Sequence, residues 1–178
     1  MKKRLLPCLT LLAFATFLTS CSSTIEQPTI IKLDPAKYAG EWHEIGRLPN
    51  RFEKDVVAAK ATYGVREIAG LSVKNEGLKV NGEKTQIQGA VTQPDPKQPG
   101  KLEVRFQNFP ANLFKGDYWI LALSQDYTRA MVGSPNQKYL WLLSKRKNSQ
   151  KENFADFIKT AEKLGYNSAK VYWNPKRL

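Results

Sequence analysis

Tyr38-Ala39-Gly40-Glu41-Trp42-His43-Glu44-Ile45-Gly46-Arg47 is the stretch whose reading decides the fold. Gly40 lets the backbone enter a turn too crowded for a Cβ. Trp42 follows two residues later, so on an extended strand its indole lies on the same face as Gly40. His43, the only histidine in the 178 residues, alternates to the opposite face. There it reads as a half-buried packing residue rather than a catalytic or metal-binding one. Pro49-Asn50 ends this first strand, which spans about 40–48.

Downstream the punctuation is that of an antiparallel β protein. Strands are predicted over about 57–67, 70–79, 84–93, 101–107, 116–124, 127–133 and 138–146. Ala69-Gly70 and Asn81-Gly82 mark tight turns, the second a strong hairpin signal. The segment 101–107 alternates Leu102, Val104 and Phe106 against Glu103, Arg105 and Gln107. The segment 116–124 is apolar on both faces, as expected where something also covers the outside. Eight strands with mostly short connections suit an all-β, eight-stranded, antiparallel up-and-down β-barrel. One helix follows. Ser149 and Glu152 have capping-box spacing, and Phe154, Phe157, Ile158, Ala161 and Leu164 form one apolar stripe. Gly165 stands where a glycine ends a helix, and Lys170 to Trp173 reads as a short closing strand. The stripe is expected to pack outside the barrel, over the late strands and the first, including Ile45.

Upstream lies a leader. Lys2, Lys3 and Arg4 precede an apolar run from Leu5 to Leu18, shorter than the roughly 20 residues of a membrane-spanning helix. Leu18-Thr19-Ser20-Cys21 resembles a bacterial lipobox. That resemblance implies removal of residues 1–20 and lipidation of Cys21 by a diacylglyceryl thioether and an N-acyl chain. With Ser22 rather than Asp next, it further implies sorting to the outer membrane. Residues 21–37 read as the lipidated N-terminus and a linker in which Pro28 and Pro35 prevent regular helix. The folded domain is then 38–178. Of the two cysteines, Cys8 leaves with the leader and Cys21 is the anchor. No thiol remains for a disulfide, a nucleophile or a metal.

Lys and Arg number 28 against 16 Asp and Glu, and the balance stays basic without the leader. Scattered cations suit a solvated surface or anionic lipid head groups, and an exported chain is not expected to bind nucleic acid. No phosphate-binding glycine loop or metal-spaced cluster is present, so no cofactor and no metal are expected.

Three segments now resemble the lipocalins: the opening stretch, Asp126-Tyr127, and Tyr139-Leu140-Trp141-Leu142-Leu143-Ser144-Lys145. In order and spacing they match most nearly the bacterial outer-membrane lipoproteins of the Blc type, with similarity also to apolipoprotein D. Barrel topology gives the motifs a common place. Connections alternate between two ends, so Gly40, Trp42, Asp126, Tyr127, Lys145 and Arg146 all fall at the closed base. Trp42 is expected to plug that base under a stacked cation. The family usually has Arg at the Lys145 position, so either Lys145 or Arg146 is the candidate.

The parity that puts Trp42 inside nominates the lining. It comprises Ala59, Ala61, Tyr63 and Val65; Ile87, Gly89 and Val91; Leu102, Val104 and Phe106; and Tyr139, Trp141 and Leu143. Ala and Gly at these positions leave room for a cavity, the alternative being a solid core. Arg51, Phe52, Lys54, Lys84, Phe109, Phe114 and Lys115 fall at the mouth, as a rim for an anionic head group, a membrane-docking patch or a homodimer contact. The resemblance implies binding, storage or transport of lysophospholipids, phospholipids or fatty acids for envelope maintenance, at the periplasmic face of the outer membrane and without catalysis. A filled barrel serving as a structural or assembly lipoprotein is the alternative, and a lipid-modifying enzyme a further one.

Overall fold

The computed structural model of the chain describes residues 28–67, 70–107 and 115–178. Eight antiparallel strands form the barrel: β1 (Gly40–Arg47), β2 (Val56–Val65), β3 (Leu71–Lys79), β4 (Lys84–Thr92), β5 (Lys101–Phe106), β6 (Lys115–Leu123), β7 (Arg129–Gly133) and β8 (Leu140–Ser144). Each pairs with the next, and β1 pairs with both β8 and β2, which closes the ring. Closure leaves the barrel no open edge along its first half. The predicted strands are all present. β7 and β8 begin later than expected because Tyr127 and Gln137 adopt left-handed backbone (φ 55° and 58°) in the turns before them.

Gly40 is needed for a different reason from crowding. Its φ is +107°, a conformation that side chains rarely adopt, while a Cβ would meet nothing nearer than Lys145 Nζ at 3.9 Å. Gly46 is the crowded one. Past His43, β1 leaves β2, and the short strand β9 (Tyr172–Trp173) takes the vacated edge at Gly46 and Arg47. A Cβ on Gly46 would lie 2.8 Å from the Trp173 ring.

Alternation from Trp42 places Ile45 outward, and a bulge between Glu44 and Gly46 then resets the parity, so that Arg47 rather than Gly46 shares the inner face with Glu44. Two apolar layers result. The inner one holds Trp42, Tyr63, Val91, Leu102, Tyr118, Ile120 and Leu143; the outer one packs Ile45, Leu121, Met131, Leu140 and Leu142 under Phe154, Phe157 and Ala161. The helical stripe therefore covers the predicted faces, and β6 serves both layers. Its helix opens with a 3-10 turn (Lys151–Phe154) and continues as α2 (Ala155–Lys163). The capping box is displaced by one residue. Gln150 N–H donates to Asn153 Oδ1 (2.8 Å), while Ser149 bonds the Ser144 hydroxyl (2.7 Å). Gly165, at φ +83°, ends the helix as predicted.

Residues 28–37 belong to the fold rather than to a linker. Ile30 N–H bonds Ile120 O (3.0 Å), Ile30 and Leu33 pack on the inner layer, and Asp34 caps a helical turn, α1 (Pro35–Tyr38). Pro35 does not prevent that turn; it occupies the first helical position, where its missing N–H costs nothing. Cys21 and the leader lie outside the described residues. Among the described residues no helix is long and apolar enough to cross a membrane.

Candidate functional site

The base of the barrel is built from the three motifs and the N-terminal segment. Trp42 is fully buried and donates from Nε1 to Tyr38 O (2.8 Å). Lys145 supplies the cation. Its Nζ lies 5.2 Å from the Trp42 ring centroid and donates to the carbonyls of Lys37 (2.6 Å) and Ala39 (2.7 Å). Burial holds its pKa below the ordinary lysine value. Arg146 turns away to solvent, 3.5 Å from Asp126. Asp126 organises the neighbouring turn, accepting from Ser124 Oγ (2.6 Å) and Thr128 Oγ1 (2.8 Å). These bonds bring its pKa down to about 2. Tyr127 accepts from Asp34 N–H (3.0 Å), which ties the entry segment beneath the barrel.

Just above the plug, three tyrosines meet. Tyr38 rests on Trp42 (ring centroids 4.9 Å apart) and on Tyr63 (5.4 Å). Tyr118 Oη lies 2.6 Å from Tyr38 Oη and accepts from Tyr63 Oη at 2.8 Å. All three are buried, and burial raises their pKa values, so the phenols stay protonated. Tyr38 stands in the opening stretch, but its return into the barrel depends on the α1 turn. Tyr118 was hidden in a strand apolar on both faces.

The predicted lining divides by height. Ala61, Tyr63, Val91, Leu102 and Leu143 are buried against the floor; Val104, Phe106, Tyr139, Trp141 and Ile87 are only half-buried. Of the half-buried set, Phe106, Tyr139, Trp141 and Ile87 lie toward the open end, while Val104 is the register partner of the floor residue Val91. Room left by small residues is partly taken. Ala61 pairs with Trp42, and a Cβ on Gly89 would lie 3.0 Å from the Phe106 ring. Ala59, higher on β2, is buried opposite Gly77. Val65 departs from the prediction. It is the last residue of β2, at the base end, and is 59% exposed, so it does not line the interior.

At the mouth, Trp141 stacks on Tyr139 (5.8 Å, 5°), and Tyr139 meets Phe52 (5.9 Å), which is 66% exposed and carries Arg51 over its face (4.9 Å). An aromatic ladder thus runs from solvent into the barrel. Lys115 is paired to Glu103 (2.7 Å). Phe109 and Phe114 lie outside the described residues.

Beside this ladder is a buried polar network that sequence reading missed. The bulge at Ile45 leaves Glu44 and Arg47 on the side of their partners Leu143 and Trp141. Arg47 donates to Glu44 Oε1 (2.7 Å), Asn174 Oδ1 (2.7 Å) and the carbonyls of Glu53 (2.6 Å) and Val56 (2.8 Å). Asn174 donates to Glu44 Oε1 (2.9 Å), and Trp141 Nε1 to Glu53 Oε2 (3.0 Å). Two carboxyl groups share one guanidinium. Burial, then the nearby Glu53, raise the Glu44 pKa to about 8 against the pull of Arg47. No local signal marks Asn174, which arrives through the β1–β9 pairing.

His43 faces outward as predicted but is buried rather than half-buried. Its Nε2 lies 3.3 Å from Glu41, and burial lowers its pKa. Among the described residues no group of three His, Cys, Asp or Glu could hold a metal ion.

The Lipocalin-like domain family matches residues 33–176. The chain belongs to the lipocalin family. That lipocalin match spans the barrel, the outer helix and β9. Outer membrane lipoprotein Blc of Escherichia coli strain K12 is 30% identical over 96% of both chains. Temperature-induced lipocalin-1 of Arabidopsis thaliana is 33% identical over 85% of this chain and 83% of its own. Among solved structures, insecticyanin from the tobacco hornworm Manduca sexta superposes with a TM-score of 0.64 at 25% identity, covering 82% of each chain. Family and fold support binding of a small hydrophobic molecule.

Proposed function

We propose that this lipocalin binds, stores or transports amphiphilic lipids, namely lysophospholipids, phospholipids or fatty acids, in its barrel. The observation that carries the reading is the gradient along the interior. The Trp42 end is sealed, while inward-facing Phe106, Tyr139 and Trp141 remain half-exposed at the other. An acyl chain entering that end gains about 0.8 kcal/mol per CH₂ buried, and the exposed Arg51 stands at the rim for an anionic head. Division of labour follows. Gly40, Trp42, Asp126, Tyr127 and Lys145 hold the base, while Ala59, Val104, Phe106, Tyr139 and Trp141 meet the ligand.

The similarity to proteins named outer membrane lipoprotein Blc and the lipobox-like Leu18-Thr19-Ser20-Cys21 support anchoring at the outer membrane through Cys21, at its periplasmic face. Multiple acyl chains on one residue give stable anchoring. The role is non-catalytic, since His43 faces away from the interior.

Native mass spectrometry after gentle extraction tests the reading. A co-purified lipid, and quenching of Trp141 emission by lysophospholipid or fatty acid, are expected. A ligand-free barrel whose Trp141 does not respond refutes it. Lipid turnover that is lost in His43→Ala would replace it with an enzyme. Labelled palmitate entering wild type and not Cys21→Ser tests the anchor.

A further inference from the structure

The three tyrosine hydroxyls above Trp42 leave a proton over. Tyr63 donates to Tyr118, and Tyr118 and Tyr38 share one further hydrogen bond. Three hydroxyl protons therefore meet two hydrogen bonds. If Tyr118 donates to Tyr38, the Tyr38 proton is unaccepted; if Tyr38 donates, the Tyr118 proton is. Either way one phenol O–H, inside the barrel and protonated, has no acceptor among the described residues. A buried donor without a partner is costly, and native interiors avoid it. Asn75 repeats the pattern with opposite sense. It lies on the inward side of β3, paired with Ala61 and Ile87, one pleat toward the mouth from Val73, the partner of Tyr63. Its Oδ1 is buried without a hydrogen bond.

We propose that this floor is a hydrogen-bonding subsite for a neutral oxygen. It favours amphiphiles whose inserted, apolar end terminates in a hydroxyl or carbonyl over those ending in methyl. The inference rests on the lipid-binding reading above and deepens it. Neutrality follows from the charges in reach. Lys145 lies under Trp42 with its ammonium on two backbone carbonyls. Arg47 is shared by Glu44 and Glu53. A carboxylate pushed to the floor would be buried without a counter-ion, which proteins do not sustain. A hydroxyl accepts the spare phenol proton at no such cost, and it is also able to donate.

The test compares palmitic acid with ω-hydroxypalmitic acid on the full chain, read by titration calorimetry. Both offer a carboxylate to the rim and differ only at the inserted end. One neutral hydrogen bond predicts about fivefold tighter binding of the hydroxylated acid. The variant Tyr38→Phe/Tyr63→Phe/Tyr118→Phe keeps the rings and removes every hydroxyl; its expected preference is about onefold or reversed. A single Phe substitution does not serve, since a shortened chain of hydroxyls still ends in a free proton. If the triple variant fails to fold, wild-type tyrosine difference absorption decides. It shifts with ω-hydroxypalmitic acid and not with palmitic acid, and equal responses refute the subsite. Equal affinities in wild type, or a preference that persists in the folded triple variant, overturn the subsite alone. Failure of both acids to bind overturns the lipid-binding reading and the subsite with it.

Discussion

Glu44→Gln should remove a pH dependence that the buried network imposes. In the folded chain the Glu44 pKa is about 8, against about 4.3 for an unfolded glutamate. Between these values the folded state holds a proton that the unfolded state has released. Stability is therefore greatest below about pH 4.3, falls as pH rises, and levels off above about 8. Each unit within the window costs about 1.4 kcal/mol. From pH 6 to pH 9 the loss is about 3 kcal/mol, since the last unit lies past the folded pKa. Gln keeps an oxygen for the Arg47 and Asn174 donors and carries no titrating proton. Urea midpoints for wild type and Glu44→Gln at pH 6, 7, 8 and 9 give the difference directly. His43 works in the opposite sense: its lowered pKa adds stability as pH rises toward neutrality, and it cancels in the comparison. The variant should gain on wild type by about 3 kcal/mol across the range. A constant gap would show that Glu44 is ionised throughout and that Arg47 outweighs burial.

Trp42→Ala should cost about 3–5 kcal/mol by chemical denaturation, as for other fully buried large aromatics; a variant of unchanged stability that loses lipid binding would reverse the roles given to base and mouth. Lys145→Met should cost about 1–3 kcal/mol, because two backbone carbonyls lose a charged donor; Arg146→Met, at an exposed side chain, should change the urea midpoint little. Gly165→Ala should cost at least about 1 kcal/mol from its positive φ, with the Gln137 amide 3.2 Å from the added Cβ pressing in the same direction, measured as a lower thermal midpoint with an unchanged circular dichroism spectrum.

The barrel was legible because its signals are local and repeated. Alternation over 101–107, Asn81-Gly82 and the Phe154 to Leu164 stripe each fix an element by period or turn chemistry. The convergence of Trp42, Asp126-Tyr127 and Lys145 was legible because an up-and-down barrel has only two ends. The choice of Lys145 over Arg146 was not, since it depends on carbonyls that α1 delivers at Lys37 and Ala39. α1 reads as linker in sequence because a proline marks a helix breaker and a first-turn residue alike, and nothing local tells the two apart at Pro35. Parity also failed at two predictable places. At Val65 the strand outruns the floor, and beyond Ile45, which faces outward as expected, a bulge resets the alternation and turns Arg47 inward.

That bulge links the fold to the site. A regular strand through Ile45 would place Gly46 and not Arg47 on the face of Glu44. The extra residue leaves Ile45 in the helix layer, keeps Gly46 outward with it, and brings Arg47 beside Glu44, next to Trp141. It also coincides with the point where β1 parts from β2, so the wall there is completed by β9, Asn174 and the carbonyls of Glu53 and Val56. The mouth of the barrel is thus held from outside by the C-terminal segment. Removing residues beyond Trp173 should uncover a buried arginine and two carboxylates together. Lipid affinity at the Trp141 end should fall before the Trp42 base loosens.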